Sequence, residues 1–225
     1  MADILPGYTW ATFADASKTR YRNTATGQFV SRATIHGLLE TQVSSTETRL
    51  GNLTRAMFDG RISSSTWQVT MRDELRRAHL QNASLGIGGI DRMSPVEYGR
   101  AGGLLRNDYA RLTDLAQGVR DGTVTLPQAL ERVRGYVGNA RISYYEAERT
   151  ALLNRQMPWD ILLIMIRDLG AAQHCGDCLS YHASGWSYDL PSPGTLCECN
   201  THCRCGLRYR DVPRGEVDSW LGTRR

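Results

Sequence analysis

The sequence predicts an α+β chain: a mainly α-helical bundle followed by a small stapled β module, with an N-terminal extended arm or hairpin. Three observations predict it. Apolar residues recur every three or four positions over the first two thirds of the chain. After Pro158 that pattern gives way to short, branched and turn-bounded segments. All six cysteines lie beyond that point, from Cys175 onward. These shifts divide the chain into residues 1–33 (arm or hairpin), 34–157 (helical domain), 158–212 (β module) and 213–225 (C-terminal tail).

In "RYRNTATGQFVS", turn residues Asn23 to Gly27 stand between Tyr21 and a strand-like run, which reads as a small hairpin. The alternative is an extended arm that orders on a partner. From Thr34, the positions Leu39, Val43, Thr46, Leu50, Leu53 and Met57 place one mostly apolar stripe on a helix that Gly60 ends. Serines at 63–65 cap a second helix carrying Trp67, Met71, Leu75 and Ala78 on one face, and Gly86, Gly88 and Gly89 stop it. "SPVEYG" opens a third, with Ser94 as cap, Pro95 in the first turn and Glu97 at the capping-box position. Its stripe is Leu105, Tyr109, Leu112, Ala116 and Val119.

Thr125, Pro127 and Gln128 open the next helix. Its stripe runs through Leu130, Val133, Val137, Ala140, Tyr144, Ala147 and Ala151, and Gly135 and Gly138 are places where it could bend or split. Four or five amphipathic helices with short connections predict an antiparallel bundle. His36 and His79 stand alone and read as surface or packing histidines. Beyond Pro158, "ILLIMI" reads as a buried strand, and "GLRYR" alternates as an edge strand would.

Composition narrows the function classes. Hydrophobic residues make up 41% and charged residues 22%, as in a chain that buries an ordinary core. No apolar run approaches the roughly 20 residues of a membrane span. The N-terminus lacks a basic region followed by an apolar run, so no signal peptide is expected. That favours a reducing compartment, where clustered cysteines hold metal more often than they form disulfides. All but one of the 27 basic residues are arginine, yet acidic residues are interleaved throughout and the net charge is only +4. This reads as codon bias rather than as a nucleic-acid footprint.

Cys175 and Cys178 form a C-x2-C pair, followed by Cys197, Cys199, His202, Cys203 and Cys205. Two thiolates from one tight turn and two from a distant one can close a tetrahedron around Zn²⁺, as in a zinc ribbon. Such a staple suits a module too small to hold itself by burial. The ligands chosen from spacing are Cys175, Cys178, Cys199 and Cys203, with Cys205 able to replace Cys203; Cys197 and His202 rank behind them. Disulfides, thiol redox chemistry and a Cys–His pair with His174, His182 or His202 are the competing readings. The redox reading expects a strand feeding a helix N-terminus, which the sequence does not suggest here. Asp160, Asp168, Asp177 and Asp189 have no catalytic spacing, and the expectation is that the protein is not an enzyme.

"HCGDC", a Gly-Trp segment, "LPSPGT" and the ending "CxxxCRC" before "GLRYR" resemble the C-terminal part of tailed-phage head morphogenesis proteins, the family named for phage Mu protein F. That family ends in "NCRC"; here His202 replaces the asparagine, and Cys199 fits a cysteine variant of the upstream ligand. The segment 60–112 and the early "YRNTATGQFVSRATI" are similar to the helical half and arm of such proteins. The resemblance covers roughly residues 20–210. It implies a minor capsid protein made in the bacterial host cytoplasm and located in the virion head near the portal vertex. Its partners would be the portal or major capsid protein, with possible contact to packaged double-stranded DNA and none to a membrane. The alternative is a free-standing zinc-ribbon nucleic-acid-binding protein, with Arg204, Arg208 and Arg210 beside Tyr209 contacting phosphates.

Overall fold

The structure is a computed structural model that describes residues 8–11, 20–154, 158–170, 173–199 and 202–223. Four long helices form the body: α1 (Arg32–Phe58), α2 (Ser64–Ile87), α3 (Pro95–Arg120) and α4 (Leu126–Leu153). Their starts follow the local chemistry. Ser31 and Ser63 accept hydrogen bonds from the amides of Thr34 and Thr66. Glu97 closes its capping box on the Ser94 amide at 2.9 Å, and Gln128 does the same for Thr125. The connecting turns are short, and α1 and α3 each pack against both α2 and α4, the most extensively paired helices.

The core is the stripe chemistry of these helices. Leu39, Leu50, Trp67, Met71, Leu75, Leu112, Leu115, Ala116 and Val133 are buried together. Each large side chain contributes about 1.5–3 kcal/mol by leaving water. The Trp67 indole N–H donates to Thr54 Oγ1 at 3.2 Å, so its one polar atom is satisfied inside the core. The helix glycines differ in what they do, and one expectation, a stop at Gly86, needs correcting. Helix α4 runs unbroken through Gly135 and Gly138. Helix α2 continues through Gly86 and is capped at Gly88, which takes the left-handed conformation (φ 97°). Gly86 is instead a contact residue: a Cβ there would lie 2.2 Å from the Tyr144 carbonyl oxygen of α4.

Two N-terminal strands, β1 (Tyr8–Ala11) and β2 (Arg20–Asn23), pair antiparallel. The turn after β2 is held by Asn23 Oδ1, which accepts from the amides of Ala25 and Thr26 at 2.9 Å, and Phe29 bridges back to Arg22. Tyr21 is buried in the helical core and donates its hydroxyl hydrogen to the Leu85 carbonyl. The hairpin therefore docks on the body rather than hanging from it. The rest of the arm, residues 1–7 and 12–19, lies outside the described residues.

The C-terminal module is built on β3 (Ile161–Asp168) and β4 (Gly206–Pro213), antiparallel with Met165 opposite Tyr209. Both faces are covered. Leu163, Met165, Leu207 and Tyr209 pack with Leu152 and Leu190. Ile164, Ile166 and Val212 pack with Trp186, Val217, Trp220 and Leu221. Two-sided burial explains why "ILLIMI" is continuously apolar rather than alternating. From sequence, 213–225 is expected to be a tail. Instead a 3-10 turn over Arg214–Ser219 carries Val217, Trp220 and Leu221 back onto the sheet, and the Trp186 amide donates to the Thr223 carbonyl.

Body and module meet through a polar seam. Arg32 of α1 pairs with Glu148 of α4 at 2.7 Å and lies over the Tyr209 ring of β4 at 5.1 Å. The Tyr144 hydroxyl donates to the other Glu148 oxygen at 3.0 Å. Among the described residues, no helix is long and apolar enough to cross a membrane.

Candidate metal centre

The cysteines arrive from three segments. Cys175 is the N-cap of a short helix, α5 (Gly176–Ala183), and Cys178 stands in its first turn. The Cys178 amide points at Cys175 Sγ, 3.5 Å away, so one turn of helix sets both sulfurs on the same side. The 197–199 segment is clamped to this helix start from both directions. The Gly176 amide donates to a Glu198 carboxylate oxygen at 3.2 Å, and the Glu198 amide donates to Asp177 Oδ2 at 2.8 Å. Tyr181 adds a third tie through the Leu196 carbonyl at 2.9 Å. Cys203 and Cys205 come from the segment entering β4.

All six thiols are free, and their sulfurs form one continuous cluster. Cys199 Sγ lies 3.3 Å from Cys175, 3.5 Å from Cys178 and 3.4 Å from Cys197. Cys178 Sγ lies 3.6 Å from Cys203. A disulfide would require about 2.04 Å. A tetrahedral Zn²⁺ with bonds of about 2.3 Å spaces its sulfurs about 3.8 Å apart. The donor set fits a thiolate-bound metal: soft ligands, near-tetrahedral spacing and burial from water.

Electrostatics agree with that chemistry. Burial opposes ionisation of Cys175, but the Cys178 amide and neighbouring thiols hydrogen-bond its sulfur and bring its pKa down to about 7. A hydrogen bond from Cys205 draws Cys203 down to about 4. Desolvation pushes Cys178 up to about 12, and Cys199 is raised for the same first reason. Cys205 is raised chiefly by its hydrogen bond to Cys203. So many adjacent thiols cannot all carry charge alone. A divalent cation among them removes the mutual repulsion and deprotonates its ligands outright.

The five cysteines chosen from the sequence, Cys175, Cys178, Cys199, Cys203 and Cys205, all lie in the cluster, and Cys197 joins them. His202 does not: its ring is 58% exposed and sits 3.4 Å from Glu131 of α4. The histidine that does approach is His174, whose Nδ1 is 3.4 Å from Cys205 Sγ. Its adjacency to the C-x2-C pair was the only available signal. The zinc-ribbon picture also needs amendment, because the first knuckle is a helix N-terminus following a strand. That is the local arrangement the redox reading asks for, although β3 and β4 run antiparallel and make no parallel βαβ unit.

Of the three arginines considered for nucleic acid, two are engaged within the module. Arg208 pairs with Asp168 at 3.4 Å. Arg210 stacks over Trp220 at 4.1 Å. Arg204 faces a cavity of about 330 Å³ shared with Arg134, Arg141 and His202.

A second polar constellation lies in the helical body. His79 Nδ1 is 2.8 Å from Ser143 Oγ, and Nε2 is 3.0 Å from Asp108 Oδ2. Asn139 donates to the other Asp108 oxygen at 2.6 Å. The order resembles a hydrolytic triad, but His79 and Asp108 are 0% exposed. The cavity beside Ser143 measures about 10 Å³, room for a single water at most. It is a satisfied core network, and His79 is the packing histidine that its isolation in the sequence suggests. Compared with protein-family models, curated proteins and solved structures, the chain matches none.

Proposed function

We propose that this protein is a non-catalytic structural component of a tailed-phage virion, a minor head protein near the portal, whose C-terminal module is held by zinc. The observation that carries the metal part is the convergence of six free cysteines: five are linked at sulfur spacings of 3.3–3.6 Å, and Cys205 lies within 4.8 Å of Cys178 and Cys203. The virion part is supported by the order of features: a docked N-terminal hairpin, a four-helix body, and a C-x2-C…C-x3-C-x-C module resembling the end of head morphogenesis proteins. The mechanism is mechanical. The helical body presents charged outer faces for docking on portal or capsid subunits. The metal fixes a two-stranded sheet that is too small to persist alone.

Quantitative mass spectrometry of mature particles and precursor heads tests this reading. The protein is expected at substoichiometric copy number relative to the major capsid protein. Its absence from both kinds of particle sinks the proposal. Nucleic-acid binding is the second reading. With Arg208 and Arg210 already engaged, retention on duplex DNA at low salt is expected to be weak; tight binding with a steep salt dependence would replace the structural reading.

A further inference from the structure

The cluster holds more soft donors than one tetrahedral ion can use. Cys175, Cys178, Cys197 and Cys199 keep their sulfurs within 4.8 Å of one another, and so do Cys178, Cys203 and Cys205. Cys178 is common to both sets and is fully buried between them. We infer that the module is built for two zinc ions joined through the Cys178 thiolate: one bound by Cys175, Cys178, Cys197 and Cys199, the other by Cys178, Cys203, Cys205 and His174. This rests on the reading of the cluster as a zinc site.

The ligand count supports it. Two tetrahedral ions have eight coordination positions, and one bridging sulfur reduces the need to seven donors. Six cysteines and His174 are those seven. With one ion, two or more cysteines would be left as surplus thiols packed at 3.3–3.6 Å against ligand sulfurs, an arrangement a second ion would put to use.

His174 is set up for the role. Its Nε2 is 2.8 Å from the Gly170 carbonyl, which can only accept, so Nε2 carries the proton. That leaves the Nδ1 lone pair directed at the Cys205 side of the cluster, 3.4 Å from Sγ. A ligating imidazole held through its other nitrogen by a backbone carbonyl is the usual supporting arrangement of a metal-bound histidine. Gly170 is fixed in turn, since a Cβ there would meet the Arg204 carbonyl oxygen at 2.8 Å. The loop orienting His174 and the loop carrying Cys203 and Cys205 are thus packed against each other. His174 lies outside the 4.8 Å set of the second thiol group, so ligation would require its Nδ1 to shift towards Cys178 and Cys203 while Nε2 keeps the Gly170 carbonyl.

The test is metal stoichiometry on the full-length chain purified anaerobically, by native mass spectrometry and elemental analysis. Two zinc ions per chain are expected, with Cys205→Ser and His174→Ala each retaining one. In case the cysteine variant fails to fold, cobalt titration of the unaltered protein gives an independent reading. Thiolate-to-metal absorption should rise through two equivalents, with magnetic coupling appearing at the second because a sulfur bridges the ions. One zinc per chain, unchanged in His174→Ala and saturating at one cobalt equivalent, overturns the second site but leaves the single structural site intact. No bound metal overturns both.

Discussion

Gly86→Ala is the sharpest available test of how the helical body is packed. In α2 the new methyl would lie 2.2 Å from the Tyr144 carbonyl oxygen, 2.9 Å from Ala147 Cβ and 3.0 Å from the Glu148 amide nitrogen. Ordinary contact begins near 3.4 Å, so α4 must retreat by about 1.2 Å. The obstacle is backbone, which cannot rotate aside. Overpacking of this kind costs roughly 1–3 kcal/mol or more, against about 0.5–1 kcal/mol returned by better helix propensity. The same substitution at Gly102, in α3, meets nothing within 4 Å and should stabilise by about 0.5–1 kcal/mol. For a chain of this size, each kcal/mol moves the midpoint by about 2–4 °C. Thermal unfolding followed by circular dichroism should therefore place Gly86→Ala below the unaltered protein by several degrees and Gly102→Ala slightly above it. Equal midpoints for the two variants would refute the close approach of α2 and α4.

Other consequences concern the seam and the metal. Glu148→Ala removes the partner of Arg32 and of the Tyr144 hydroxyl. A fully buried pair would cost about 3–5 kcal/mol; with Arg32 36% exposed, a loss nearer ~2–3 kcal/mol is expected in urea unfolding. His36, edge-on to Tyr144 and Tyr145, has its pKa lowered by burial and by Arg32, against the opposing pull of Glu148, Asp168 and Glu40. The unfolded chain therefore binds more protons below about pH 6.5, so stability is full above that pH and falls as acid is added. His36→Phe should flatten this part of the stability profile, and an unchanged slope would exclude His36 as its source. Under the proposed zinc reading, chelation should leave the far-UV signal of α1–α4 largely intact while exposing the Arg204–Arg214 segment to trypsin. Protection persisting after chelation would show that the sheet stands without metal.

Much of the body was legible because its information is local. Ser94 and Glu97, or Thr125 and Gln128, announce a helix start whatever lies nearby. The stripe through Leu39, Val43 and Leu50 names its own buried face. A glycine that stops a helix and one that admits a neighbouring carbonyl look alike in sequence; Gly86 is the second kind, and Gly88, two residues on, is the stop. The burial of Val217, Trp220 and Leu221 is not legible locally, because it comes from β3, about 50 positions upstream, as well as from the adjacent strand.

For the centre, residue type and clustering along the chain already say that thiols gather near the C-terminus and that metal is the chemistry to expect. Which groups meet depends on the folded chain. His202 sits between two cysteines in the sequence, yet its ring points to Glu131 on the helical body. Cys197, ranked behind its neighbours, stands 3.4 Å from Cys199, and His174 reaches Cys205 across more than 30 residues. Coordination depends on where side-chain atoms converge in space. That is set by the helix start at Cys175, the Asp177–Glu198 clamp and the register of β3 on β4, none of which spacing along the chain encodes.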